Sequence, residues 1–97
     1  MAEYEVIVLP DALRILLRML FPPLFTIRIN DGRVVLVHGT ATPAFLEDCS
    51  RIAGKGGIRS GWIWGHGSGS GVRLEFSSGI GEGDRQRFRN TAGIHSL

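Results

Sequence analysis

Residues 6–25 read VIVLPDALRILLRMLFPPLF, a run of 20 that is mostly apolar and has the length a bilayer-spanning helix needs. Its punctuation works against spanning. Pro10 and the Pro22-Pro23 pair interrupt a helix, while Asp11, Arg14 and Arg18 each cost roughly 2.5–3.5 kcal/mol at mid-membrane on insertion scales. What remains is a predicted helix over residues 12–21, about 15 Å long and half a hydrocarbon core.

Asp11, directly after Pro10, is suited to cap the start of that helix, and Pro22 sets its end. Arg14 and Arg18 are four apart and form one narrow cationic stripe. Leu13, Leu16, Leu17 and Leu20, with Ile15, Met19 and Phe21, cover most of the remaining circumference. Such a helix suits a membrane interface, a protein partner or its own domain. The candidate docking side chains are Leu13, Arg14, Leu16, Leu17, Arg18, Leu20 and Phe21. Residues 1–23 are read as this docking segment, and residues 24–97 as one α+β domain with a flexible C-terminal tail.

From Leu24 the apolar period changes to two. Phe25, Ile27 and Ile29 alternate with Thr26, Arg28 and Asn30, and Asn30-Asp31-Gly32 supplies residues that tolerate positive φ in a tight hairpin turn. Arg33 to Val37 returns as a second strand. Its run Val34-Val35-Leu36-Val37 predicts a central strand buried on both faces. Thr42 and Pro43 then announce a helix, as N-cap and first helical residue. Phe45, Leu46, Cys49, Ile52 and Ala53 form its apolar stripe, Glu47, Asp48, Ser50 and Arg51 point away, and Gly54-Lys55-Gly56-Gly57 ends it.

Ile58 to Trp64 reads as the third strand and Val72 to Ser77 as the fourth. Gly65, Gly67, Gly69 and Gly71 between them alternate strictly, which fits neither GxGxxG nor Walker spacing, and a strand rather than a helix follows. The segment is expected to be a flexible hairpin linker. A terminal helix is predicted from about Gly83 to Thr91. The order is then a short N-terminal helix followed by ββαββα: a two-layer α+β sandwich with a four-stranded, mainly antiparallel sheet. Its predicted inward residues are Phe25, Ile27, Ile29, Ile58, Trp62, Val72, Leu74 and Phe76, against Phe45, Leu46, Ile52 and Phe88.

The spacing from Phe25-x-Ile27-Arg28-x-Asn30-x-Gly32 through Gly39, Pro43 and Phe45 to Arg73-Leu74-x-Phe76-Ser77 and Gln86-Arg87-x-Arg89-Asn90 resembles a family of short bacterial proteins, domain of unknown function 3634. The resemblance covers residues 24–91, and LxFS followed by QRxRN is its most specific part. It implies a hydrophobic membrane segment directly before the first strand, from which the charged, proline-bounded segment here departs. It implies no activity and no catalytic residue.

The remaining composition narrows the function classes. The 97 residues, 43% of them apolar and 21% charged, suit a single folded core. Net charge is +2 from 11 basic and nine acidic residues, and only Lys55 of the 11 is lysine. If anions are bound, planar bidentate contacts to carboxylate or phosphate suit these side chains better than diffuse attraction, although a high genomic GC content enriches arginine equally well. The start Met1-Ala2-Glu3-Tyr4-Glu5 is acidic where a secretory leader is basic, so a cytoplasmic protein, peripheral at the inner membrane, is expected. Cys49 lies in an apolar stripe without a CxxC partner, and His38, His66 and His95 are dispersed. Nothing converges as an active site must, so neither enzyme activity nor a metal or cofactor is expected.

Nucleic-acid binding is the alternative. Arg28, Arg59 and Arg73 are expected on the open face of the sheet, with Gln86, Arg87, Arg89 and Asn90 nearby as anion-binding groups. Against it, Trp62, Phe25, Phe76 and Trp64 are predicted to face inward, which removes the stacking surface a single strand needs. The leading expectation is a non-catalytic interaction module, docked through its N-terminal helix on a membrane surface or a protein partner.

Overall fold

The computed structural model describes residue 20, residues 22–68 and residues 71–95. Four strands and two helices follow one another as β1 (Phe25–Asn30), β2 (Arg33–Gly39), α1 (Pro43–Gly56), β3 (Ser60–Ser68), β4 (Gly71–Phe76) and α2 (Glu82–Ile94). The sheet order is β2-β1-β3-β4, and every pairing is antiparallel. A ββα unit is used twice, the two units meeting along the β1–β3 seam. The predicted N-terminal helix, with Leu13, Arg14, Leu16, Leu17, Arg18 and Phe21, lies outside the described residues.

Local chemistry accounts for the hairpin and for α1. Asp31 at φ 48° and Gly32 at φ 76° form a two-residue turn whose hand matches the strand twist. The Phe45 amide donates to Thr42 Oγ1 at 3.2 Å, which caps the start of α1, with Pro43 in the first turn. At the other end Gly57 adopts φ 61°, and its amide reaches the carbonyls of Ala53 and Gly54.

Both helices pack on one face of the sheet. Phe25, Ile27 and Ile29 of β1, Ile63 of β3 and Leu74 of β4 are buried against Phe45, Cys49 and Ala53 of α1 and Phe88 of α2. Ile58 and Ile80 close the core from the connections. Leu46 and Ile52 pack at its margin, so the predicted α1 stripe is the one used.

Three expectations are corrected. The second strand is an edge strand, not a central one: Val34 and Leu36 pack inward, while Val35 and Val37 are 54% and 53% exposed. The register passes from Thr26–His38 to Ile27–Leu36, which leaves Val37 as the extra residue of a bulge, a device that discourages edge-to-edge pairing. Second, the glycine-alternating segment is largely strand rather than linker, since β3 runs to Ser68 and β4 starts at Gly71. Third, Gly61, Ile63 and Gly65 are the buried positions of β3, so Trp62 and Trp64 face outward, not into the core. The reason is volume. A Cβ on Gly65 would stand 2.3 Å from the Phe25 ring, and one on Gly61 would stand 2.7 Å from Ile80 Cγ1.

Candidate interaction surface

The sheet face opposite the helices carries the outward residues of all four strands. Arg33, Val35 and Val37 come from β2, Arg28 and Asn30 from β1, Trp62 and Trp64 from β3, and Arg73 and Glu75 from β4. Register sets their rows. Val35, Arg28 and Trp62 are consecutive cross-strand neighbours, as are Thr26, Trp64 and Glu75 in the next row.

The two indole rings lie 6.3 Å apart and nearly parallel, at 7°. The Arg28 guanidinium sits 5.4 Å from the Trp62 ring centroid, within cation–π range. His66 Nε2 is 3.1 Å from Glu75 Oε2, and this pair occupies the acid on the face. Arg33 and Arg73 have no ion-pair partner among the described residues, so the face is cationic, with Arg28 and the two indoles on its central strands, Arg33 and the two valines on edge strand β2 and Arg73 on edge strand β4.

The predicted anion-binding residues are not brought together. Arg28 and Arg73 occupy the open face, but Arg59 precedes β3 in the opposite phase to Trp62, with its carbonyl accepting from the Asp31 amide at 2.7 Å. Gln86, Arg87, Arg89 and Asn90 belong to α2, in the other layer. There Gln86 donates to Asn90 Oδ1 at 3.0 Å, Arg87 pairs with Asp84 at 2.8 Å, and Arg89 pairs with Glu82 at 2.9 Å.

Arg85 and Ser77 fasten α2 to the sheet, with Arg89 beside them. Arg85 donates from Nε to the Ile80 carbonyl at 2.7 Å and from a terminal nitrogen to the Ser77 carbonyl at 3.0 Å. Arg85 and Arg89 both lie over the Phe76 ring, at 5.6 and 5.4 Å. Ser77 Oγ in turn accepts from the Trp62 amide at 2.8 Å, and the Ser77 amide donates to the Trp62 carbonyl at 3.1 Å. The LxFS stretch thus serves as a structural joint between β4, β3 and α2.

Asp48 departs from the expected solvent-facing role. Its carboxylate accepts from Thr91 Oγ1 at 3.3 Å and bonds His95 Nε2 at 2.6 Å, with Arg51 beside it, and so ties α1 to the end of α2. The His95 bond first, and Arg51 second, hold its pKa below the ordinary value of 3.8. His95 is therefore a bonded residue at the end of α2, which runs to Ile94. The neighbouring Cys49 is buried, and burial, with the Asp48 charge adding to it, pushes its thiol up to about 12. That thiol has none of the thiolate character a nucleophile requires.

A shallow cleft of about 430 Å³ lies between the helices, with Arg51, Lys55, Asp84 and Arg87 on its walls. Asp84 is already paired with Arg87, and no nucleophile–base pair lines it. Among the described residues there is no cluster of three metal-ligating side chains, and no helix is long and apolar enough to cross a membrane.

Fold and surface together define a small two-layer α+β domain whose sheet has one face covered by helices and, among the described residues, one face without them. The chain belongs to the family described as Protein of unknown function (DUF3634), whose model matches residues 6–96. No curated protein and no solved structure matches it.

Proposed function

We propose that the chain is a non-catalytic interaction module held at a membrane surface by its apolar N-terminal segment, residues 6–25. The observation that carries this reading is the exposure of the two leucines next to β1. Leu20 and Leu24 are 63% and 50% exposed, and no described residue ahead of Phe25 enters the buried core. An apolar run whose near end stays out of the core retains its affinity for another apolar phase. Arg14 and Arg18 add a stripe that favours anionic headgroups. The location that goes with this reading is peripheral, on the cytoplasmic side of the inner membrane.

Flotation tests it. Full-length protein is expected to rise with vesicles of phosphatidylcholine and phosphatidylglycerol, and the Leu16→Glu/Leu20→Glu variant to stay behind. Full-length protein that remains soluble, monomeric and unbound contradicts the reading.

Phosphate-backbone binding to nucleic acid is a second reading, and one observation favours it: Trp62 and Trp64 are on the open face with Arg28 and Arg73. It is the weaker of the two, because Gln86, Arg87, Arg89 and Asn90 lie in the opposite layer and are already engaged with neighbours on α2. A flat response of any oligonucleotide binding to salt counts against it.

A further inference from the structure

We infer that the open face of the sheet is itself a lipid-contacting surface: Val35, Val37 and Trp62 lie against an anionic bilayer, with Arg28, Arg33 and Arg73 turned to lipid phosphates. The inference rests on the membrane reading above and adds a second, separate contact to it.

Three observations converge on lipid as the occupant. The first is chemistry. Val35 and Val37 are more than half exposed, at 54% and 53%, and one strand away stand the two indoles, with Arg28 between Val35 and Trp62. Tryptophan and arginine are the side chains that favour the boundary between headgroups and acyl chains, and exposed valines there lose contact with water. A base-stacking platform would use the indoles and arginines but gives the two valines nothing to do.

Charge is the second. Arg28, Arg33 and Arg73 share the face with Glu75, whose carboxylate is occupied by His66 at 3.1 Å. The excess is positive and matches anionic headgroups.

Connectivity is the third. The predicted helix stops at Phe21 and β1 starts at Phe25, so the link between them spans at most about 14 Å. The Leu24 amide donates to the Gly65 carbonyl at 2.7 Å, which fixes the incoming chain at the end of the sheet where Thr26 and Trp64 pair and Val37 bulges out. A bilayer that holds the apolar segment is therefore brought to this end of the sheet, where Trp64 and Val37 lie on the open face.

The chain contains two tryptophans, and both are on this face, so tryptophan fluorescence, excited at wavelengths where Tyr4 does not absorb, reports on it alone. Full-length protein is titrated with phosphatidylcholine/phosphatidylglycerol vesicles carrying brominated acyl chains, with phosphatidylcholine vesicles, and with a single-stranded oligonucleotide. The expected result is a blue shift with bromine quenching on the anionic vesicles, and roughly 30-fold weaker binding for the Arg28→Gln/Arg73→Gln variant, about fivefold per lost arginine. Its melting curve, followed by circular dichroism, checks that the variant stays folded, and the quenching measurement needs no variant. Protein that floats with the vesicles while its tryptophans are neither shifted nor quenched overturns this inference and leaves the N-terminal anchor standing. Protein that does not float overturns both. Tryptophan quenching by the oligonucleotide without any lipid response overturns both as well, in favour of the nucleic-acid reading.

Discussion

Phe25 and Gly65 face each other across the β1–β3 seam, and the Phe25 ring fills the space in which a Cβ on Gly65 would stand, 2.3 Å from the ring carbons. Phe25 is buried and also packs on Phe45, with ring centroids 5.6 Å apart, so it has no room to retreat. Gly65→Ala is expected to lower stability by about 1–3 kcal/mol through overpacking. Gly67→Ala, two residues on, meets only Leu24 Cδ1 at 3.7 Å and is expected to stay within about 0.5 kcal/mol of the parent. Paired denaturant melts check this, and equal effects would refute the packing argument.

Gly54 and Gly57 separate space from backbone conformation. A Cβ at either position meets nothing within 4 Å, but Gly54 is inside α1 whereas Gly57 holds φ 61°. Gly54→Ala should raise stability by roughly 0.5–1 kcal/mol, by removing glycine entropy from the unfolded chain and improving helix propensity. Gly57→Ala should lower it by about 1 kcal/mol or more, because alanine disfavours the left-handed region. Thermal unfolding of the two variants decides between them.

The Asp48–His95 bond predicts an acid limb. Because the folded carboxyl titrates below its ordinary value of 3.8, the unfolded chain takes up the proton first as pH falls. The stabilisation is complete above about pH 4 and is lost as pH drops through the folded pKa. Asp48→Asn is expected to be less stable than the parent at pH 7, with the gap narrowing below pH 4. Urea melts across pH 2–7 test this, and a gap that does not depend on pH contradicts it.

Cys49 predicts an alkaline one. Burial raises its folded pKa to about 12 from 9.0, so the unfolded chain releases the proton first and stability declines as pH rises above about 9. Cys49→Ala should show a shallower decline over that range. Native protein at pH 8 should react with an aromatic disulfide reagent only as fast as it opens, and at once in denaturant. Rapid reaction of the folded protein would show that the thiol is not enclosed.

Elements governed by neighbours in the chain are legible in the residues. Asn30-Asp31-Gly32 determines its turn because two adjacent positive φ values need those residue types. Thr42-Pro43 and Gly57 bound α1, because caps act within a few residues. The α1 stripe and the inward set of β1 follow from periodicity alone, and with them the α+β class.

Only the assembled fold decides the facing of β3 and the engagement of the polar groups. In Gly61-Trp62-Ile63-Trp64-Gly65 hydrophobicity argues for burying the indoles, yet the glycines point inward because Phe25 and Ile80, distant in sequence, already fill that volume. The same alternation that looks like a flexible linker from composition is a strand shaped around its neighbours. Likewise nothing local pairs Asp48 with His95, 47 residues away, or aims Arg85 at the Ser77 carbonyl. Periodicity states that a strand has two faces, but which face is buried depends on the volume the rest of the chain leaves for it.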